Sequence, residues 1–215
     1  MPVKMQPEPP HFSKKVQKKG EEFLLQNPHA KGNDLKPYWR KIIPDLHSAY
    51  SGICAYTCHW MPYDISSITV EHFKPKEMYP QHAYCWDNYR LVCGRLNGRK
   101  GVFEDVLDPF TLQEGWIELH FPSLQLIPGK HLTAIEAQQV DTTVNTRLKL
   151  NDGICIGARR GWLTPYSLGK YGIDFLEDMA PFMAKEVKRQ KLDDMSHLMW
   201  EEYRELEQHR KLKKR

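Results

Sequence analysis

Residues 54–60 read CAYTCHW, residues 69–76 read TVEHFKPK, and residues 83–101 read AYCWDNYRLVCGRLNGRKG. This order brings an acid–histidine pair, Glu71-His72, into one stretch with Asn88, Asn97 and Lys100. The residue types suit phosphodiester hydrolysis. A carboxylate and an amide oxygen can hold a hard cation, and an imidazole, whose ordinary pKa lies near neutrality, can take a proton from water. Taken singly, His72 is an ordinary strand histidine and Asn97-Gly98 an ordinary turn. The ordered combination carries the argument.

Something must hold these groups in place. Residues 68–73 are β-branched and aromatic, and read as a strand closed by Lys74-Pro75; residues 89–93 read as a second short strand, with a helix beginning near Asn97. Upstream, Trp39, Ile42, Ile43, Leu46 and Tyr50 share one helical stripe, interrupted by Pro44. Downstream, residues 116–121 (WIELHF) alternate as a strand with a hairpin partner at 124–127, and residues 132–150 look helical. Two apolar stripes follow, Phe175, Leu176, Met179, Phe182, Met183 and Val187, then Leu192, Met195, Met199, Tyr203 and Leu206. The expectation is an α+β chain. Residues 1–20 form an extended Pro- and Lys-rich arm, residues 21–130 hold the strand–strand–helix core with its preceding helices, and residues 131–215 form a region of long C-terminal helices with a docking face. Arg159-Arg160 reads as a solvated pair.

The 215 residues carry a formal charge of +4, with basic clusters at Lys14, Lys15, Lys18 and Lys19 and from Arg210 to Arg215. A hydrophobic content of 40% with six tryptophans indicates a folded chain. No apolar run approaches a membrane span, and MPVKMQPEPP has no signal-peptide core, so the expected location is cytoplasmic. Five cysteines, an odd number, fit reduced thiols better than a disulfide framework. There is no phosphate-cradling P-loop, so any ATP would be bound by another chain.

Glu71-His72, Asn88 and Asn97 with Lys100-Gly101 resemble the HNH endonucleases, the ββα-metal nucleases, over residues 50–105. Weaker similarity extends over most of the chain to HNH proteins of Septu-type anti-phage systems, through YWRKII, VEHFKPK, AYCWDNYRLVC, NGRKG, DVLDPF and PFMAKEVKRQ. The resemblance implies a small ββα core embedded in a mostly helical chain. It implies Mg²⁺, or Mn²⁺, on Glu71 and Asn97, with His72 as general base. Asn88 would orient the imidazole or brace its loop, and Lys100 would contact a phosphate. DNA or RNA would be the substrate and an ATPase the partner protein; an inert ββα binding module is the alternative.

Neighbours on a regular strand point to opposite faces, so Glu71 and His72 share a site only if the strand distorts or ends there, as we expect. Many HNH proteins also brace the fold with two CxxC pairs around zinc. Here the pairs would fall at Cys54 with Thr57 and Cys93 with Leu96, one ligand short each. Cys58 is an offset substitute, and a structural zinc is not expected.

Overall fold

The computed structural model describes residues 3–193. It is a mixed α/β structure with seven α-helices and two separate two-stranded antiparallel sheets among the described residues. Buried apolar side chains form one cluster running from Phe12 to Leu192.

The sheet that matters here pairs β1, Ile68–His72, with β2, Tyr89–Cys93, in the register Ile68↔Cys93 through Glu71↔Arg90 to His72↔Tyr89. Main-chain bonds just beyond its two ends, Gly94 to the Ser67 carbonyl and Phe73 to the Asn88 carbonyl, set its phase. They assign the cross-strand hydrogen bonds to odd-numbered residues of β1, so the main-chain groups of Val70 and His72 point off its free edge. Helix α3, Gly94–Lys100, follows β2 without a loop and packs on both strands. It starts at Gly94, three residues before the expected Asn97, because Cys93 ends the strand and serves as the helix cap. It stops at Gly101, whose φ of 48° and ψ of −127° suit a residue without Cβ.

Of the arm expected at residues 1–20, residues 12–20 are helical rather than extended. A π-helical turn, Ser13–Gln17, runs straight into α1, Lys18–Gln26. The spacing of four between Phe12, Val16 and Gly20 turns one face inward. Phe12 meets the rings of Trp86 and Tyr89 edge-on, and Gly20 lies so close to the Tyr84 ring that a Cβ would overlap it. Earlier residues are tied down as well: Val3 N–H donates to the Pro109 carbonyl, Gln6 N–H to the Tyr50 hydroxyl, and the Trp86 indole to the Gln6 carbonyl.

A 3-10 turn, Tyr38–Ile42, leads into α2, Ile43–Ala49, with Pro44 tolerated in its first turn. Ile42, Leu46 and Tyr50 are buried as their spacing predicts. The WIELHF hairpin forms as expected, as β3, Ile117–His120, and β4, Gln125–Pro128. Helix α4, Ala134–Asp141, opens on a Thr133–Glu136 capping box and runs into a π-helical turn, Thr142–Arg147. Helix α5, Gly153–Ser167, is one the sequence reading did not delimit; Asp152 caps it by accepting from Cys155 N–H.

Among the described residues the C-terminal helices are short where long ones were expected: α6, Ile173–Met179, and α7, Pro181–Arg189, break at Ala180 before Pro181. Much of their stripe faces inward, with Met179 half-buried. Leu176, Phe182, Met183 and Val187 are all spent on the interior, with Phe175 left outside. Of the second stripe Leu192 is buried, and Met195, Met199, Tyr203 and Leu206 lie outside the described residues. Arg159 is a correction too. It is buried, donating to the Leu124 carbonyl at 2.6 Å and the Leu150 carbonyl at 2.7 Å, two buried main-chain acceptors that need a donor there.

Candidate functional site

β1 ends at His72, but its pairing stays regular to that residue, so Glu71 and His72 point to opposite sides. His72 lies 8% exposed at a cavity of about 280 Å³ whose walls include Trp39, Arg40, Val70, Lys76 and Asn97. Its ring stands edge-on to Trp39, with centroids 4.6 Å apart, and to Tyr89 at 5.2 Å. Nε2 lies 3.0 Å from the Ala83 carbonyl. A carbonyl can only accept, so Nε2 carries the hydrogen and Nδ1 keeps its lone pair. The Tyr89 hydroxyl donates to the same Ala83 oxygen at 2.7 Å, which fixes that acceptor in place. Burial lowers the His72 pKa to about 4, against a smaller upward pull from the Ala83 hydrogen bond. The imidazole is therefore neutral near pH 7 and has the protonation state of a base.

Asn97 shares the cavity. Its amide Nδ2 donates to Thr69 Oγ1 at 3.0 Å and reaches the Val70 carbonyl, at 3.4 Å, on the free edge of β1. That spends the nitrogen on the strand and leaves Oδ1 as the amide's acceptor at the cavity.

Asn88 works through the main chain. Oδ1 accepts from Lys74 N–H at 2.7 Å, and Nδ2 donates to the carbonyls of Lys74 and His82. It thus laces both ends of the 74–82 crossover to β2, and the residue after His82 is the one whose carbonyl holds His72. Of the two roles expected of Asn88, these contacts match bracing of the loop.

Glu71 and Lys100 lie elsewhere. Lys100 is 0% exposed, its ammonium 3.3 Å from Glu71 Oε1 and donating to the Phe73 carbonyl at 2.9 Å. Glu71 is 1% exposed and accepts from the Tyr56 hydroxyl through Oε2 at 3.1 Å. Burial raises its pKa, and Lys100 offsets part of that rise. Lys100 aims its hydrogen bond at Phe73, so Glu71 Oε1 has an ion-pair partner without an aligned donor. The expected phosphate contact by Lys100 is corrected here. A lysine sealed inside the fold against a carboxylate has no reach to a substrate.

A divalent ion on Glu71 and Asn97 does not fit this arrangement. The donors are hard oxygens of the right kind, but Asn97 faces the cavity and Glu71 faces inward, where Lys100 already supplies the positive charge. Among the described residues no three His, Cys, Asp or Glu side chains converge in a metal-holding group. None of the five cysteines forms a sulfur–sulfur bond. The thiols of Cys54 and Cys93 share a hydrogen bond that lowers the pKa of Cys54 and raises that of Cys93.

Sequence reasoning missed three sets of residues. Arg40 and Lys76 bring two cationic side chains to the cavity, and Trp39 a ring. Lys76 had a local signal, four residues after His72 with Pro75 bending the chain between them; Arg40 had none, since it arrives from a distant element. Arg90, opposite Glu71 on β2, is buried in a two-point ion pair with Asp108 at 2.9 and 2.7 Å, and the Phe110 ring covers it at 3.5 Å. The DPF phrase is therefore a lid over Arg90.

No family model matches the chain. The Septu protein PtuB of Bacillus thuringiensis is similar to it, 29% identical over 89 residues, which is 41% of this chain and 32% of that protein. The match thus spans about a third of that relative's length. No helix of the described residues is long and apolar enough to cross a membrane.

Proposed function

We propose that the chain is a nucleic-acid phosphodiester hydrolase of the HNH type, acting in anti-phage defence as a subunit that works with a partner ATPase. One observation carries the chemical half. His72 is neutral, bonded through Nε2 to the Ala83 carbonyl with the Nδ1 lone pair not used in that bond, and it lines a cavity together with Asn97. Water placed at Nδ1 would lose its proton there as it attacks phosphorus, one ester P–O bond would break and its oxygen leave with a proton from solvent, and Ala83 and Tyr89 would hold the ring while it is charged. The order of β1, β2 and α3 supports the HNH reading, as does the sequence pattern along them. The similarity to a Septu protein supports the defence role, and the ATPase belongs to the proposal only through the resemblance noted in the sequence.

The resemblance implies Mg²⁺ or Mn²⁺, but Glu71 and Asn97 as they stand do not fit it, so no step is routed through a metal. The hydrolytic step is built on His72 alone, since Glu71 would have to leave Lys100 before it met Asn97. A second reading, an inert binding module, is favoured by that same Glu71–Lys100 pair, which takes the carboxylate away from the cavity.

The test is cleavage of labelled DNA and RNA by the purified chain, alone and with the product of the neighbouring gene, in Mg²⁺, Mn²⁺ or EDTA. His72→Ala is expected to lower the rate by about a hundred- to ten-thousand-fold with nucleic-acid binding intact, and added metal is not expected to rescue it. Binding without cleavage in every condition would establish the inert module instead.

A further inference from the structure

We infer that the His72 cavity receives one unpaired nucleotide of a single-stranded chain, with its phosphate between Arg40 and Lys76. The inference rests on the hydrolase reading and names the substrate class for the same site. Three observations lead to it. The volume of about 280 Å³ falls just below the range of ligand pockets, about 300 to 1,000 Å³, so the cavity has room for one small unit. His72 is nine-tenths buried, so the atoms to be hydrolysed must come to it rather than pass across a surface. A paired, stacked nucleotide is held in its helix and cannot follow; an unstacked one can, which is why enzymes that work in snug pockets use single strands or flipped nucleotides.

The walls suit that guest. Arg40 comes from the 3-10 turn before α2, and Lys76 from the crossover after β1, so two cations reach the cavity from different elements. With Lys100 sealed away, they are the cationic side chains that line it. Trp39 adds an indole wall, the kind of surface on which unpaired bases pack without regard to sequence. Lys76 also pairs with Glu77 at 2.9 Å, a carboxylate that an entering phosphate must outcompete.

Fluorescence anisotropy of the full chain in EDTA, where metal-dependent turnover is blocked, tests this with a labelled single-stranded 12-mer, as DNA and as RNA, and with its blunt duplex. The single strand should bind at least tenfold more tightly than the duplex. Arg40→Ala and Lys76→Ala should each weaken it several-fold and flatten the salt dependence by about 0.7 in log–log slope, the contribution of one single-strand phosphate. Glu77→Gln should tighten it, and Lys130→Ala, on an exposed loop, should change nothing. Equal or tighter duplex binding, or unchanged affinity and slope in both cation variants, overturns the inference. Single-strand binding with this pattern but no cleavage would defeat the hydrolase reading and leave the nucleotide site standing. Cleavage of duplex through His72, with Arg40 and Lys76 silent, would do the reverse.

Discussion

Replacing Lys100 with Met distinguishes a buried counter-ion from a substrate ligand. In the folded chain the Lys100 ammonium lies 3.3 Å from Glu71 Oε1 and donates to the Phe73 carbonyl, and both charged side chains are 1% exposed or less. Met keeps the aliphatic volume and removes the charge. Glu71 is then left with the Tyr56 hydroxyl as its donor, a carboxylate in the interior without its cation. Breaking one partner out of a buried pair costs about 3–5 kcal/mol. For a chain of this size that lowers the midpoint of thermal unfolding by roughly 6–20 °C. Adding Glu71→Gln to Lys100→Met should restore much of the loss, because it removes the stranded charge.

The deficit should also depend on pH, with a defined sign. Burial already raises the Glu71 pKa, and Lys100 is the largest influence pulling it down, so the variant's folded-state value rises further. A folded pKa above the unfolded one means the folded variant holds a proton that the unfolded chain has released. Its stability therefore recovers as pH falls from 7 toward about 4.3, the ordinary glutamate value. Urea unfolding followed by tryptophan fluorescence at pH 7 and pH 5 reads both effects. A Lys100→Met cost below about 1 kcal/mol, equal at the two pH values, would refute the buried pair and return Lys100 to the surface.

Asn88→Ala should cost about 2–4 kcal/mol, since three hydrogen bonds to the crossover go at once; tryptic cutting after Lys76 should speed up, and an unchanged digestion rate would argue against the bracing role. Wild-type stability should fall as pH drops from about 6.5 to 5. Burial lowers His72 to about 4 and His59 to about 3, so the unfolded chain takes up protons that the folded one refuses, at up to about 1.4 kcal/mol per pH unit for each histidine. Urea midpoints that are flat over that range would contradict both burials. Elemental analysis of the purified chain should find less than stoichiometric zinc, given one in-register cysteine per pair; one tightly held zinc per chain would make Cys54, Cys58 and Cys93 its ligands.

The two strands around the site were legible because their signals are local. Residues 68–73 and 89–93 are β-branched and aromatic between strong stops, and the pairing followed. The WIELHF hairpin was readable for the same reason. Residues 12–20 misled because Pro and Lys dominate the composition around them, whereas Phe12 and Gly20, on one face with the buried Val16, decide the outcome by meeting Trp86, Tyr89 and Tyr84. Lys100 misled in a different way. Its residue type predicts a solvent-reaching cation, and only the helix phase, which turns it toward Glu71 on the strand, shows otherwise. Arg40 could not be read as part of the cavity at all, since nothing in YWRKII records which distant strand that turn will meet.

The ties made by residues 3–12 have a consequence for how the chain is built. Gln6 accepts from Trp86, 80 residues further on, and Val3 donates to Pro109. At about 5–20 residues per second, a nascent chain makes Gln6 roughly 4–16 seconds before its indole partner exists. The segment must therefore wait on the ribosome as an unpaired strap, and it closes over Phe12, Trp86 and Tyr89 only after the β1–β2 hairpin has emerged. Pairings that distant in sequence are the slow part of folding. A bulky fusion placed ahead of residue 3 would then act on the last stage of assembly, slowing refolding while leaving the hairpin itself able to form.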